Sequence, residues 1–186
     1  MSRVTRRVVL LLALIWIPMA WAADRGPILE EHIKAAFLFK FAGYVEWPSP
    51  SIDPLDPRNL PFTIGVMGAD KIAEELIHLS RDNNVNDRPV LIKILRPGDS
   101  LAGLDILFIG RRERSRLQSL LNQAKAQPIL TVTESRGALE AGSVINFVPV
   151  QDYIRFEISV ASAELCGLKI SSRLLNVAQN IETRRP

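Results

Sequence analysis

Few side chains in this sequence have the types and spacings that covalent chemistry needs. Its two histidines, His32 and His78, fall on separate predicted helices, and its single cysteine, Cys166, sits in the apolar run 163–168. Neither histidine stands at metal-ligand spacing from a cysteine or carboxylate, so no metal site is assigned. No nucleophile elbow, S-x-x-K motif or P-loop occurs, and no catalytic residue is assigned. Gly65-Val66-Met67-Gly68 ends a strand ahead of a helix, where a dinucleotide fingerprint would begin. It lacks the G-x-G-x-x-G spacing that lets backbone approach a pyrophosphate, and it reads as a tight strand-to-helix turn; no cofactor is expected.

What remains is chemistry of recognition. Arg111-Arg112-Glu113-Arg114-Ser115-Arg116 opens a predicted helix and carries enough positive charge to hold an acidic partner or phosphate. Asn146 lies inside the apolar string VINFV, where a buried amide must find partners. Arg155 and Glu157 stand two apart on one strand face, and Lys169 and Arg173 flank a turn into the last helix. These groups could line one ligand or partner surface, or satisfy each other; residue types alone leave both readings open. Cys166, in its apolar setting, reads as a buried and inert thiol.

The charge balance removes the argument for nucleic acid that the overall pI suggests. The chain has 23 Lys+Arg against 20 Asp+Glu, and its sequence pI is about 9.3. Three of those arginines, Arg3, Arg6 and Arg7, precede an apolar run from Val8 to Ala20 and the small-residue site Ala20-Trp21-Ala22. That is the layout of a secretory signal peptide over residues 1–22. The apolar run, about 13 residues, is shorter than the roughly 20 a membrane span requires. Removing three arginines leaves 20 bases and 20 acids in residues 23–186, a formally neutral exported domain with no nucleic-acid signature. A lone cysteine in an exported chain means that the fold does not depend on a disulfide.

The elements that must position these groups follow from periodicity. Residues 28–46 predict an amphipathic helix with Ile33, Phe37, Phe41 and Val45 inward and Glu30, Glu31, Lys34 and Lys40 toward water. Five of the 12 prolines lie from Pro48 to Pro61, an exposed loop. Apolar runs at 62–67, 90–95, 106–110 and 128–133 alternate with helical patterns at 71–80 and 111–126, which predicts a parallel-type sheet with helices on both faces. Runs 143–148 and 153–160 predict an antiparallel hairpin at the sheet edge, followed by a short helix stopping at Gly167, an extended 168–170, and a final helix burying Leu174, Leu175, Ala178 and Ile181. The expected fold class is α/β: a single compact domain, a mostly parallel mixed sheet flanked by helices, with a C-terminal antiparallel hairpin.

Particular strings extend this reading. Residues 34–41 (KAAFLFKF) followed by Tyr44-Val45-Glu46-Trp47-Pro48, then 62–68, 106–109, 129–132, 144–148, 155–158 and the distinctive 167–175 (GLKISSRLL), closely resemble the YfiR/HmsC family of bacterial periplasmic proteins. The ordered set runs from about Glu30 to Ala178, nearly all of the exported chain.

The resemblance implies regulation. The best-known member of that family binds the periplasmic sensor domain of an inner-membrane diguanylate cyclase and holds it inactive; its release raises cyclic-di-GMP and promotes biofilm. Homodimers are known in the family. Under that regulator hypothesis the candidate contact residues are Glu46 and Trp47 at the end of the first helix, with Arg155, Glu157, Lys169 and Arg173. For Trp47, core packing is the competing role. A second hypothesis makes the protein a periplasmic small-molecule-binding module, with Asn146, Arg155, Lys169 and Arg173 around an anionic or aromatic ligand. Cysteine pairs common in the family are absent, since only Cys166 is present, so gating by an internal disulfide is not expected.

Overall fold

The computed structural model describes residues 25–48, 60–151 and 153–183. The predicted signal peptide and most of the proline-rich loop lie outside those residues. In chain order the elements are α1 (Arg25–Ala42), β1 (Val45–Glu46), β2 (Phe62–Met67), α2 (Asp70–Ser80), β3 (Asn84–Val85), β4 (Arg88–Leu95) and β5 (Ile106–Ile109). A 3-10 turn (Arg111–Arg116) then leads into α3 (Leu117–Ala124) and β6 (Leu130–Thr133). The last third holds β7 (Ile145–Val150), β8 (Tyr153–Ser159), α4 (Val160–Leu165), β9 (Lys169–Ile170), α5 (Ser172–Leu175) and β10 (Asn180–Glu182).

One eight-stranded sheet runs β10-β8-β7-β6-β5-β2-β4-β3, and β1 and β9 form a separate small ladder. The strands from β4 through β2, β5 and β6 to β7 are parallel, and β7–β8 is an antiparallel hairpin. The mixed, mostly parallel sheet is therefore as the alternation predicted. β2, β5 and β6 are buried along their whole length, because helices cover both faces. On one face α1 and α2 bring Leu38, Phe41, Ile72 and Leu76 onto Ile64, Phe108 and Val132. On the other, Leu117, Leu120 and Leu121 of α3 pack on Met67, Leu107 and Ile109. Phe37, Phe41, Phe147 and Phe156 meet with ring centroids 5.0–6.1 Å apart, clamping α1 to the hairpin. Each fully buried side chain of this size contributes about 1.5–3 kcal/mol.

Several boundaries differ from expectation. α1 ends at Ala42, and Val45–Glu46 is a strand paired with Lys169–Ile170 rather than a last helical turn. The buried stripe of α1 is Lys34, Ala35, Leu38, Phe41 and Ala42, so Lys34, expected in water, is only 2% exposed. Arg111–Arg116 winds as a 3-10 turn whose first two residues are tied to Glu134, Gly68 and Asp70, and the α-helix starts only at Leu117. β4 is half exposed, since its outer side has little cover. The hairpin is not the sheet edge. The chain turns out of α5 after Leu175, the Gln179 amide donates to the Phe156 carbonyl at 2.8 Å, and Asn180–Glu182 pairs in parallel with Glu157–Ser159. Ile181 is accordingly on a strand and exposed, not buried on a helix. Gly167 does end α4 in the left-handed region, at φ +73°.

Candidate functional site

The candidate residues fall into two groups. The β1–β9 ladder sets Glu46 directly opposite Lys169, and the Ser171 amide extends it by donating to the Tyr44 carbonyl at 2.9 Å. Ser171 then caps α5, its hydroxyl accepting from the Leu174 amide, which places Arg173 in the first turn beyond the ladder. Glu46, Lys169 and Arg173 are all exposed. Trp47 is half-buried beside them: its ring stands edge-on to Phe62 at 5.3 Å and its indole N–H donates to the Asp105 carbonyl at 3.3 Å. Arg88 completes that corner, lying 5.3 Å above the Phe62 ring and bonding the Asp105 carboxylate at 3.2 Å. Trp47 thus packs and also presents one face near the ladder.

The second group lies across the hairpin, where Asn146 opposes Glu157 and Val148 opposes Arg155. The Asn146 amide is committed inward. Its oxygen accepts from the Thr133 hydroxyl at 2.9 Å and from the Ser135 amide at 3.1 Å, at a residue 3% exposed. It holds β7 to the end of β6. Arg155 is exposed over the Tyr153 ring at 6.0 Å, and Glu157 borders a small cleft of about 340 Å3 with Glu140 and Glu182. Among the described residues no hydrogen bond or ion pair joins the two groups, and Glu46, Arg155, Glu157, Lys169 and Arg173 make no ion pair at all. Glu46, Arg155, Lys169 and Arg173 face solvent, and Glu157 is half-buried.

A larger feature was not legible as a site in the sequence. The chain passes from β2 outward to β4, then returns across to β5 on the other side of β2, so strand order reverses between β2 and β5. In open α/β sheets the crevice beyond the strand ends at such a reversal is the usual place for a ligand. Here the two turns meet closely: a Cβ on Gly110 would lie 2.5 Å from the Gly68 carbonyl oxygen, and Gly68 itself has φ +71°. Above them opens a cleft of about 800 Å3, lined from α1 by Glu30, Glu31 and Lys34 and from the sheet side by Asp70, Arg111 and Glu134.

Its walls are an ion-pair network. The Lys34 ammonium, its side chain 3% exposed, bonds both Glu30 and Glu134. Arg111 reaches Glu30 at 3.2 Å, and its backbone N–H donates to Glu134 at 3.0 Å. Arg112 donates to the Gly68 carbonyl at 3.1 Å and to Asp70 at 2.6 Å. Burial alone would raise the Glu30 carboxyl, but the Lys34 ammonium, then Arg111, holds it below its ordinary value. Burial likewise pushes the Cys166 thiol up, against the pull of Lys125. The first two arginines of the run, Arg111 and Arg112, are therefore internal glue for this cleft. Lys34 was missed because a lysine four residues after a glutamate reads as a solvated pair; only its place one turn before Leu38 hinted at burial.

Among the described residues no group of His, Cys, Asp and Glu could hold a metal ion, and no helix is long and apolar enough to cross a membrane. The profile of a family described as YfiR/HmsC-like matches residues 31–179, well over half of the chain. No curated protein matches it.

Proposed function

The chain belongs to the YfiR/HmsC-like family, and from that premise we propose that it is a non-catalytic periplasmic regulator that binds the periplasmic domain of a membrane-bound diguanylate cyclase and represses it. The family is periplasmic and is associated with the regulation of diguanylate cyclases. The match over residues 31–179 is the observation that carries the reading. The solvent-facing charges Glu46, Lys169 and Arg173, gathered beside Trp47, support a protein-binding surface there. Binding lowers the cyclase's output only by favouring its inactive arrangement over the active one. Residues 1–22 would direct export, and the N-terminal residue of the exported protein would be Ala23.

The test pairs purified exported protein with the periplasmic domain of the candidate cyclase, after deletion of the gene identifies the cyclase through a rise in cyclic-di-GMP. Saturable binding, weakened by Glu46→Lys or Lys169→Glu, is expected. No binding, with cyclic-di-GMP unchanged by the deletion, would overturn the proposal. The cleft of about 800 Å3 favours a second reading, in which a small charged ligand at Glu30, Lys34 and Arg111 tunes the same or another envelope partner. A thermal-shift screen separates the two, because a ligand that binds only the folded chain raises its melting temperature.

A further inference from the structure

The cleft beyond the ends of β2 and β5 is walled by carboxylates that are already held, with one exception. Lys34 and Arg111 occupy Glu30 and Glu134, and Arg112 occupies Asp70. Glu31 lines the same cleft from α1, and among the described residues no cation pairs with it. Its Oε2 oxygen is buried with no hydrogen-bond partner. A buried acceptor left in that state is costly, and a donor entering the cleft relieves the cost. α2 brings the complementary groups to the same cleft. Its first-turn amides, those of Asp70, Lys71 and Ile72, lie beyond the reach of any intrahelical carbonyl. No side chain caps them, because the N-cap residue is Ala69, which has nothing to accept with. All four residues line the cleft, at the positive end of the α2 dipole.

We propose that this cleft binds a small zwitterion, a molecule with an amine at one end and a carboxylate or phosphate at the other. The ammonium donates to the Glu31 carboxylate. The acidic group accepts from the α2 amides, and the exposed Lys71 in the same turn adds its charge. The proposal rests on the reading of a small charged ligand in this cleft and names that ligand's chemistry. A bare anion would gain the amides but face Glu31, and a bare cation would gain Glu31 but face Lys71 and the α2 terminus. Only a molecule carrying both charges completes both ends. The cleft volume, about 800 Å3, is within the range of small-molecule sites, and its place at the strand-order reversal is where such sites form. Glu31 stands in the first half of α1, whereas the β1–β9 ladder follows its last turn, so the ligand leaves the Glu46–Lys169 surface free.

Isothermal titration calorimetry on the purified exported protein, with probes at millimolar concentration, tests this. The zwitterions are glycine, β-alanine and γ-aminobutyrate, which differ in span, and phosphoethanolamine; the single-charge probes are ethylamine, acetate and inorganic phosphate. At least one zwitterion should bind about ten-fold more tightly than any single-charge probe, and the carboxylate and phosphate arms show which acidic group the α2 turn takes. Glu31→Gln keeps the shape, removes the charge and should weaken that zwitterion about ten-fold. Ala69→Asp gives the α2 amides an acceptor of their own, so it should raise the melting temperature of the ligand-free protein while weakening the zwitterion. Circular dichroism checks that both variants are folded. A single-charge probe binding as tightly as every zwitterion would leave a charged ligand in the cleft but overturn the proposal, as would zwitterion binding indifferent to Glu31→Gln. Silence from every probe would overturn both the proposal and the reading on which it rests.

Discussion

Replacing Lys34 by methionine should cost more stability than any exposed charge in the chain. The ammonium is 3% exposed and bonds Glu30 and Glu134, and Glu134 is itself only 9% exposed. Methionine keeps most of the aliphatic volume but strands the Glu134 carboxylate. Removing one partner of a buried pair costs about 3–5 kcal/mol. Arg111, 3.7 Å from Glu134, compensates in part, which places the expected loss near the lower bound, about 3 kcal/mol. Urea unfolding followed by circular dichroism reads this as a lowered midpoint at unchanged slope. The double variant Lys34→Met/Glu134→Leu removes both charges and should recover most of the loss, as buried pairs replaced by apolar groups often do. A single-variant loss under about 1 kcal/mol, the size of an exposed pair, would refute the burial argument, as would a double variant no more stable than the single.

The remaining expectations are narrower. Glu30, held below its ordinary value of 4.5, contributes stability that is present at neutral pH and lost as pH falls below 4.5 through the lowered value. Glu30→Gln should flatten that acid limb in pH-dependent denaturation. Asn146→Ala leaves the Ser135 amide without its acceptor, while the Thr133 hydroxyl keeps the Ile145 carbonyl within reach, and should cost about 1–3 kcal/mol in the same assay. Cys166, half-buried with its thiol pushed up, should react with a thiol-specific disulfide reagent at neutral pH more slowly than free cysteine, and faster once urea unfolds the chain.

How far the sequence predicted this molecule depended on whether a feature was local. Phe62–Met67, Ile106–Ile109 and Leu130–Thr133 announced themselves because strands buried on both faces need unbroken apolar runs, and the left-handed stop at Gly167 needs only one residue. The β1–β9 ladder was invisible because its strands are two residues each and lie far apart in the chain. β10 was misread for the same reason: Leu174, Leu175, Ala178 and Ile181 keep a helical spacing, yet the unpaired edge of β8 claims the backbone after α5. At the site, Lys169 and Arg173 stood out as charges flanking a turn and Glu46 and Trp47 joined them as candidate contacts, while the ladder supplies the geometry that brings Glu46 opposite Lys169. Asn146 was recognised as a polar group needing partners; which partners, Thr133 and Ser135, is a tertiary fact. The cleft could not be read in advance, because it depends on where strand order reverses.

Cyclic-di-GMP measured in cells lacking the gene, and in cells complemented with the wild type or with Glu46→Lys/Lys169→Glu, tests the central claim most directly. The account predicts a rise on deletion, return to the starting level with the wild type, and failure of the exported, folded double variant to restore it. Unchanged cyclic-di-GMP on deletion, across conditions that stress the envelope, would contradict it.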